Sequence, residues 1–255
     1  MPRLRVEEAS DDDCNTSSQS QRDTEISSET QTKLAGLVCN YLLVAECKKI
    51  PAKRADIKKL IPKENARHLP KIMAEVNNIM EQVYAYKVVE LEKSNYILIN
   101  NIGTNHSDHD NTSKISDTAK TGLLTAILAG IFMTGELMQE KHFIQYLKKL
   151  DVDILSKNPH PELGNVAKLI HQEFTKQKYL EITSDTTTDP PTREYRWGER
   201  AHLELSKRDI LELVCKVYGN HMRPERWMSQ WKIVQKEKGA PENTEPQPRR
   251  LRIEK

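Results

Sequence analysis

The chain has 255 residues, 37% hydrophobic and 30% charged, with a mean hydropathy of −0.70; that length can bury one large core or two small ones. Aromatic residues make up only 5%, so any core must rest on Leu, Ile, Val and Met. A formal net charge of +2 conceals an asymmetry: residues 1–30 hold three basic and eight acidic side chains, whereas residues 48–71 hold nine basic and two acidic ones.

Residues 1–28 are rich in Ser, Thr, Gln, Asp and Glu and too poor in apolar side chains to offset ordering entropy, so they are expected to be a disordered acidic tail. Their start lacks the basic-then-apolar layout of a secretory signal. Ser28 and Gln31 form a capping-box pattern that opens the first helix, with core residues Leu34, Leu37, Val38, Tyr41, Leu42 and Ala45. A second helix follows Pro51, with Ile57, Leu60 and Ile61 facing inward, and Pro62 stops it. A third takes Leu69, Ile72, Met73, Val76, Ile79, Met80 and Val83. The period then changes to two: Tyr86–Leu91 and Tyr96–Ile99 read as strands joined by a short turn. Three helices and a hairpin are the order of a winged helix.

Residues 101–118 are polar and read as a linker. The plan then repeats. Leu123–Met133 is apolar nearly all round and should be deeply buried. It is too short and interrupted to span a bilayer. Phe143, Ile144, Leu147 and Leu150 mark the next helix, and Leu163, Val166, Ala167, Ile170 and Phe174 the third. A hairpin of Tyr179–Thr183 and Glu194–Gly198 follows, then a helix capped by Ser206 and Asp209 that uses Ile210, Leu211, Val214, Val217 and Tyr218. The expected fold is mainly α with small β-hairpins (α+β), in tandem winged-helix units at 29–100 and 119–235, with a disordered tail at 236–255.

Motifs for chemistry are missing. There is no phosphate-binding glycine loop, nucleophile elbow or His-Glu-x-x-His pair. His106 and His109 sit beside Asp108 and Asp110 in the polar linker, a solvated loop rather than a metal site. No cofactor, metal or catalytic residue is expected. The four cysteines show no C-x-x-C spacing, and Cys39 and Cys215 lie in apolar helical patterns, which favours a reducing compartment, cytosolic or nuclear.

Two surfaces carry more information. On the first helix the core stripe centres near Leu34, Val38, Tyr41 and Ala45. Leu42 then falls at its edge and Leu43 nearly opposite, where a leucine either meets a partner or is one of the exposed leucines that soluble proteins tolerate. The second surface is basic. Lys53, Arg54, Lys58 and Lys59 crowd the second helix. Lys168, His171, Lys176 and Lys178 lie on or after the third helix of the second unit, and Arg193, Arg196 and Arg200 on or near its wing. Only Asn165 and Gln172 on that helix suit base reading, so the set fits phosphate contact without sequence choice, or else a solvated face.

The segments Tyr41–Val44, Lys49–Ile57, Lys87–Leu91, Tyr96–Asn100, Thr121–Leu124, Gly130–Met133, Tyr179–Glu181 and Tyr195–Arg200 resemble the MAGE homology domain family over residues 31–235. Within that family the chain is most similar to the MAGE subunit of the SMC five/six chromosome-maintenance complex. The resemblance implies a non-catalytic adaptor that supports a RING-type ubiquitin ligase in DNA repair. Its implied partners are a RING-type subunit (non-SMC element 1-like), a kleisin (non-SMC element 4-like), the SMC five/six ATPases, and DNA without strong sequence preference. The paired leucine by which the family binds RING partners aligns with Leu42 and Leu43. The kleisin groove is assigned to the helix Ser206–Tyr218, through Leu211, Val214 and Tyr218. Many relatives have Trp-Gly-Pro-Arg where Trp197–Arg200 reads Trp-Gly-Glu-Arg, which should loosen that turn. Two other readings are an adaptor for a different RING ligase and a free-standing winged-helix regulator that selects DNA sequences.

Overall fold

The computed structural model describes residues 26–92, 94–101, 115–156, 158–186, 191–219 and 222–239. Most of the expected N-terminal tail, the linker histidines His106 and His109, Cys14, and residues 240–255 lie outside them.

The first core is built by α1 (Ser28–Cys47), α2 (Arg54–Leu60), a 3-10 segment (Lys63–His68), α3 (Leu69–Tyr84) and a small sheet of β1 (Ala52–Lys53), β2 (Tyr86–Leu91) and β3 (Asn95–Asn100). The sheet order is β1-β3-β2, antiparallel throughout, with Ala52 opposite Tyr96 and Val88 opposite Leu98. Two-residue β1 is too short for alternation to reveal in sequence.

The true N-cap of α1 is Ser27, whose hydroxyl accepts the Thr30 N–H at 3.3 Å. Gln31 is drawn away from a capping box, because its side chain donates to the Lys71 carbonyl at 3.4 Å. The buried stripe of α1 is also rotated from the one expected. It comprises Leu34, Ala35, Val38, Cys39 and Leu42. Small residues at 35 and 39 let α3 pack closely, and that contact turns the helix. Tyr41 and Ala45 are half-buried at its edge, Leu43 is half-buried on its flank, and Leu37 and Val44 are exposed. Leu60 and Val83, expected inside, are exposed as well.

The second core repeats the plan with α4 (Ile115–Met133), β4 (Met138–Gln139), α5 (Glu140–Lys149), α6 (Val166–Lys168) continuing as a π turn (Leu169–Phe174), β5 (Leu180–Asp185) and β6 (Thr192–Trp197). Its sheet order, β4-β6-β5, mirrors the first. Phe143 stacks on Tyr195 at 3.9 Å, and Trp197 Nε1 donates to the Leu128 carbonyl at 2.8 Å. Each fully buried side chain of this kind contributes about 1.5–3 kcal/mol. The chain then adds α7 (Glu199–Glu204), α8 (Lys207–Tyr218), a 3-10 turn (Pro224–Arg226) and α9 (Met228–Gly239).

Three expectations are corrected here. α4 starts at Ile115, inside the span read as linker. α9 continues to Gly239, past the expected start of a tail at 236. It is held by burial of Val234, by a Gln230 side-chain bond to the Met133 carbonyl at 2.9 Å, and by an ion pair between Lys207 and Glu237 at 2.6 Å. The turn at Trp197–Arg200 is tight: the Gly198 N–H donates to the Tyr179 carbonyl at 2.8 Å and the Arg200 N–H to the Lys178 carbonyl at 3.0 Å. Any Cβ at Gly198 would lie 2.3 Å from the Lys178 oxygen.

Candidate interaction sites

The basic residues separate into two kinds. Arg54 faces Glu90 at 3.5 Å, Lys59 pairs with Asp56 at 2.8 Å, Lys178 lies 3.9 Å from Glu199, Arg193 lies 3.4 Å from Glu140, and Arg196 lies 3.2 Å from Glu194. Their charge is largely met within the fold. Lys53, Lys58, Lys168 and Lys176 are exposed and join no ion pair among the described residues. Lys168, Gln172 and Lys176, all exposed, follow one another at four-residue steps through the π turn. The widened turn keeps residues four apart nearly in line. Asn165 is not free to read bases, since it caps α6 by accepting the Lys168 N–H at 2.8 Å. The exposed face of α3 carries Lys71, Ala74, Asn77, Asn78 and Glu81, one cation against one carboxylate and so a poor surface for a polyanion.

Of the paired leucine, Leu42 is 1% exposed and belongs to the first core. Leu43 is half-buried on the flank and packs against the same core. It is therefore at the surface, though not opposite the core as the wheel suggested, because the stripe is rotated.

Among the described residues a large apolar groove of about 820 Å³ opens between α4, α5 and α8. Its α4 wall is a row of small residues, including Gly122, Ala126, Ala129 and Gly130, facing Tyr146 and Leu150 of α5 and Leu213, Val214, Val217 and Tyr218 of α8. α4 is thus not buried all round, as its composition implied. Of the residues assigned to kleisin binding, Val214 and Tyr218 line this groove, with Tyr218 edge-on to Trp227 at 5.6 Å. Leu211 is fully buried in the core beneath and offers no surface.

The two cores meet at a buried ionic cluster. Arg200 of α7 donates from Nη1 to Glu46 Oε2 of α1 at 3.1 Å and to Glu204 Oε1 at 3.1 Å. Its guanidinium carbon lies 5.6 Å from the centre of the Tyr179 ring. Tyr179 donates its hydroxyl to Glu204, and Lys49 pairs with Glu46. Burial, and then the Glu204 charge, push the Tyr179 phenol far above its ordinary range. Glu199 supplies a second link, accepting the Glu92 N–H at 3.1 Å. The departure from Trp-Gly-Pro-Arg therefore ties the turn to the first unit's hairpin rather than loosening it.

No group of three or more metal-ligating side chains occurs among the described residues, and none of their helices is long and apolar enough to cross a membrane. Residues 38–208 match the MAGE homology domain.

The chain belongs to the MAGE homology domain family. It is 37% identical over 205 residues to the human non-structural maintenance of chromosomes element 3 homologue, covering 80% of this chain and 66% of that protein. Against the mouse homologue the identity is 35%, with 71% of that protein covered. Human melanoma-associated antigen D2 is 35% identical over 195 residues, 75% of this chain but only 31% of that protein. The chain thus spans about two thirds or less of the human relatives it matches. Among solved structures, a chain of an Nse1-Nse3-Nse4 complex superposes with a TM-score of 0.75 at 35% identity, covering 82% of this chain and all of that one. The tandem winged-helix architecture of the MAGE fold agrees with the two cores described above.

Two features of this MAGE chain were missed in sequence. The small residues of α4 recur at helical spacing and could have been noticed as a groove floor. The Glu46–Arg200 pair leaves no local signal, since its partners are 154 residues apart.

Proposed function

We propose that this protein is the MAGE subunit of an SMC five/six-type complex, a non-catalytic nuclear scaffold that joins a RING-type subunit, a kleisin and DNA. The observation that carries this reading is the superposition on a chain of an Nse1-Nse3-Nse4 complex over 82% of its length at 35% identity. In this reading the RING-type subunit docks on α1, where Leu43 is the contact and Leu42 supports it from within the core. RING activity in DNA repair belongs to that partner, which the scaffold stimulates. A kleisin helix lies in the apolar groove between α4, α5 and α8. The groove's α4 wall runs from Thr118 to Met133, about 22 Å at 1.5 Å per residue, which suits a helix of roughly four turns better than a small molecule. DNA phosphates meet Lys168 and Lys176, with Lys53 and Lys58 as further contacts.

The test is purification of the tagged protein from nuclear extract with mass spectrometry of what co-purifies. A RING subunit, a kleisin and two large coiled-coil ATPases support the proposal. A RING ligase without the ATPases replaces it with the role of an adaptor for a different RING ligase. For DNA, steeply salt-dependent binding to random duplexes is expected. Strong preference for a selected sequence would favour the free-standing regulator.

A further inference from the structure

Gly130 and Tyr146 meet in the groove in an unusual way. A Cβ at Gly130 would lie 2.7 Å from the Tyr146 ring, closer than two carbons can pack. The ring is therefore seated on bare helix backbone. Its hydroxyl donates at 2.7 Å to the carbonyl of Ala126, one turn earlier on the same helix. Two points on α4 thus hold one side chain of α5, and the ring cannot turn without losing the hydrogen bond or striking the helix. Burial pushes the Tyr146 phenol up, with Tyr218 adding to the effect, so it remains a donor at neutral pH. Across the groove, Leu213, Val217 and Tyr218 of α8 expose an apolar row, Val217 by 79%. Lys148 and Lys149 precede the rim residue Leu150, and Lys216 precedes Val217. All three are exposed, and none joins an ion pair among the described residues. Asp151 follows Leu150, and Glu212, which precedes Leu213, is paired with Arg208. The three lysines thus leave the rim net basic, which favours an amphipathic helix with acidic flanks.

We propose that Tyr146, held on Gly130, is the specificity-determining residue of the groove: the glycine lets the ring lie close against α4, and the space this leaves admits the acidic amphipathic helix of the kleisin-type partner. This rests on the groove reading given above. Gly130 contributes by what it lacks. Any side chain there drives the ring off α4 into the space that the partner helix needs, while α8 stays unaltered.

The experiment measures binding of the fluorescently labelled kleisin-type subunit of the same species to the full chain. Gly130→Ala should weaken binding about tenfold, the size of effect expected when a packed ring is forced from its seat. Adding Tyr146→Ala to Gly130→Ala should recover much of that loss, because the obstructing ring is gone. Equal binding by Gly130→Ala and the unaltered chain overturns the proposal, and so does a double variant no better than the single one. Val217→Asp, at an exposed rim position, tests the groove itself. If it binds as the unaltered chain does, or if the unaltered chain does not bind, the groove reading falls and the role of Tyr146 with it. Retained circular dichroism and unfolding midpoint of each variant, together with unchanged RING-subunit binding, separate these outcomes from misfolding.

Discussion

Arg200 and Glu46 form a buried link between the two cores: Nη1 of a fully buried guanidinium meets Oε2 of a carboxylate 9% exposed, at 3.1 Å. Arg200 Nε and Nη2 have no acceptor among the described residues. A charge so placed depends on the partners it has, because the interior supplies no water to replace a lost one. Glu46→Gln should therefore destabilise the protein by about 3 kcal/mol in urea unfolding, the low end for a broken buried pair since Glu204 remains. Arg200→Met added to Glu46→Gln should recover part of this. A cost below about 0.5 kcal/mol for Glu46→Gln would show that the pair does not hold the units together.

The paired leucine should divide its roles. Leu42→Ala leaves a cavity in a closed core and should cost about 2–5 kcal/mol. Leu43→Ala should cost less than about 1 kcal/mol and weaken binding of the RING-type subunit. Unchanged affinity of Leu43→Ala in a titration would remove that contact from α1. The double alanine variant is a poor test, because loss of binding would follow from unfolding alone.

Gly198→Ala should be among the most damaging single changes. The added methyl carbon meets backbone, at 2.3 Å from the Lys178 carbonyl oxygen, and neither segment can yield without breaking the Gly198–Tyr179 and Arg200–Lys178 hydrogen bonds. A fall in the thermal midpoint of several degrees or more is expected. A midpoint within about a degree of the unaltered protein would show that the turn at Trp197–Arg200 can yield to a side chain.

Acidification should weaken the second unit through His171. The imidazole is half-buried and within 3.0 Å of the Tyr195 hydroxyl. Burial, then the Arg193 charge, lower its pKa from the ordinary 6.5. The folded state therefore keeps the ring neutral, while the unfolded chain takes up a proton first as pH falls. The contribution is complete above 6.5 and is lost progressively below it, down to the lowered folded value. Unfolding free energies from about pH 7.5 to about pH 5 should decline, and His171→Gln should flatten that decline. An equal slope in the variant would assign the loss to other groups.

Periodicity located the long helices other than α9 (Met228–Gly239), which the pattern leaves unmarked. Helix-spaced Leu, Ile and Val marked α3, α5 and α8, and the change to period two marked both hairpins. It failed where length or small side chains weakened the signal. β1 and β4 have two residues each, α7 has six, and the buried face of α1 turns on Ala35 and Cys39, which hydrophobic counting underrates. Val217 groups with the inward stripe of α8, and Leu211 with its groove face, because apolar residues at helical spacing look alike whether they face an interior or an unfilled groove.

What the sequence determined by itself was the kind of protein: local pattern specifies two helix-and-hairpin units, and segments such as Tyr195–Arg200 carry the family resemblance. The tertiary structure decided which residues are available. It placed Leu42 and Leu211 inside, met the charges of Arg193 and Arg196 with nearby carboxylates, seated Tyr146 on Gly130, and brought Arg200 to Glu46. Those outcomes depend on how distant helices pack against one another, and packing between residues far apart in the chain leaves no periodic trace along it.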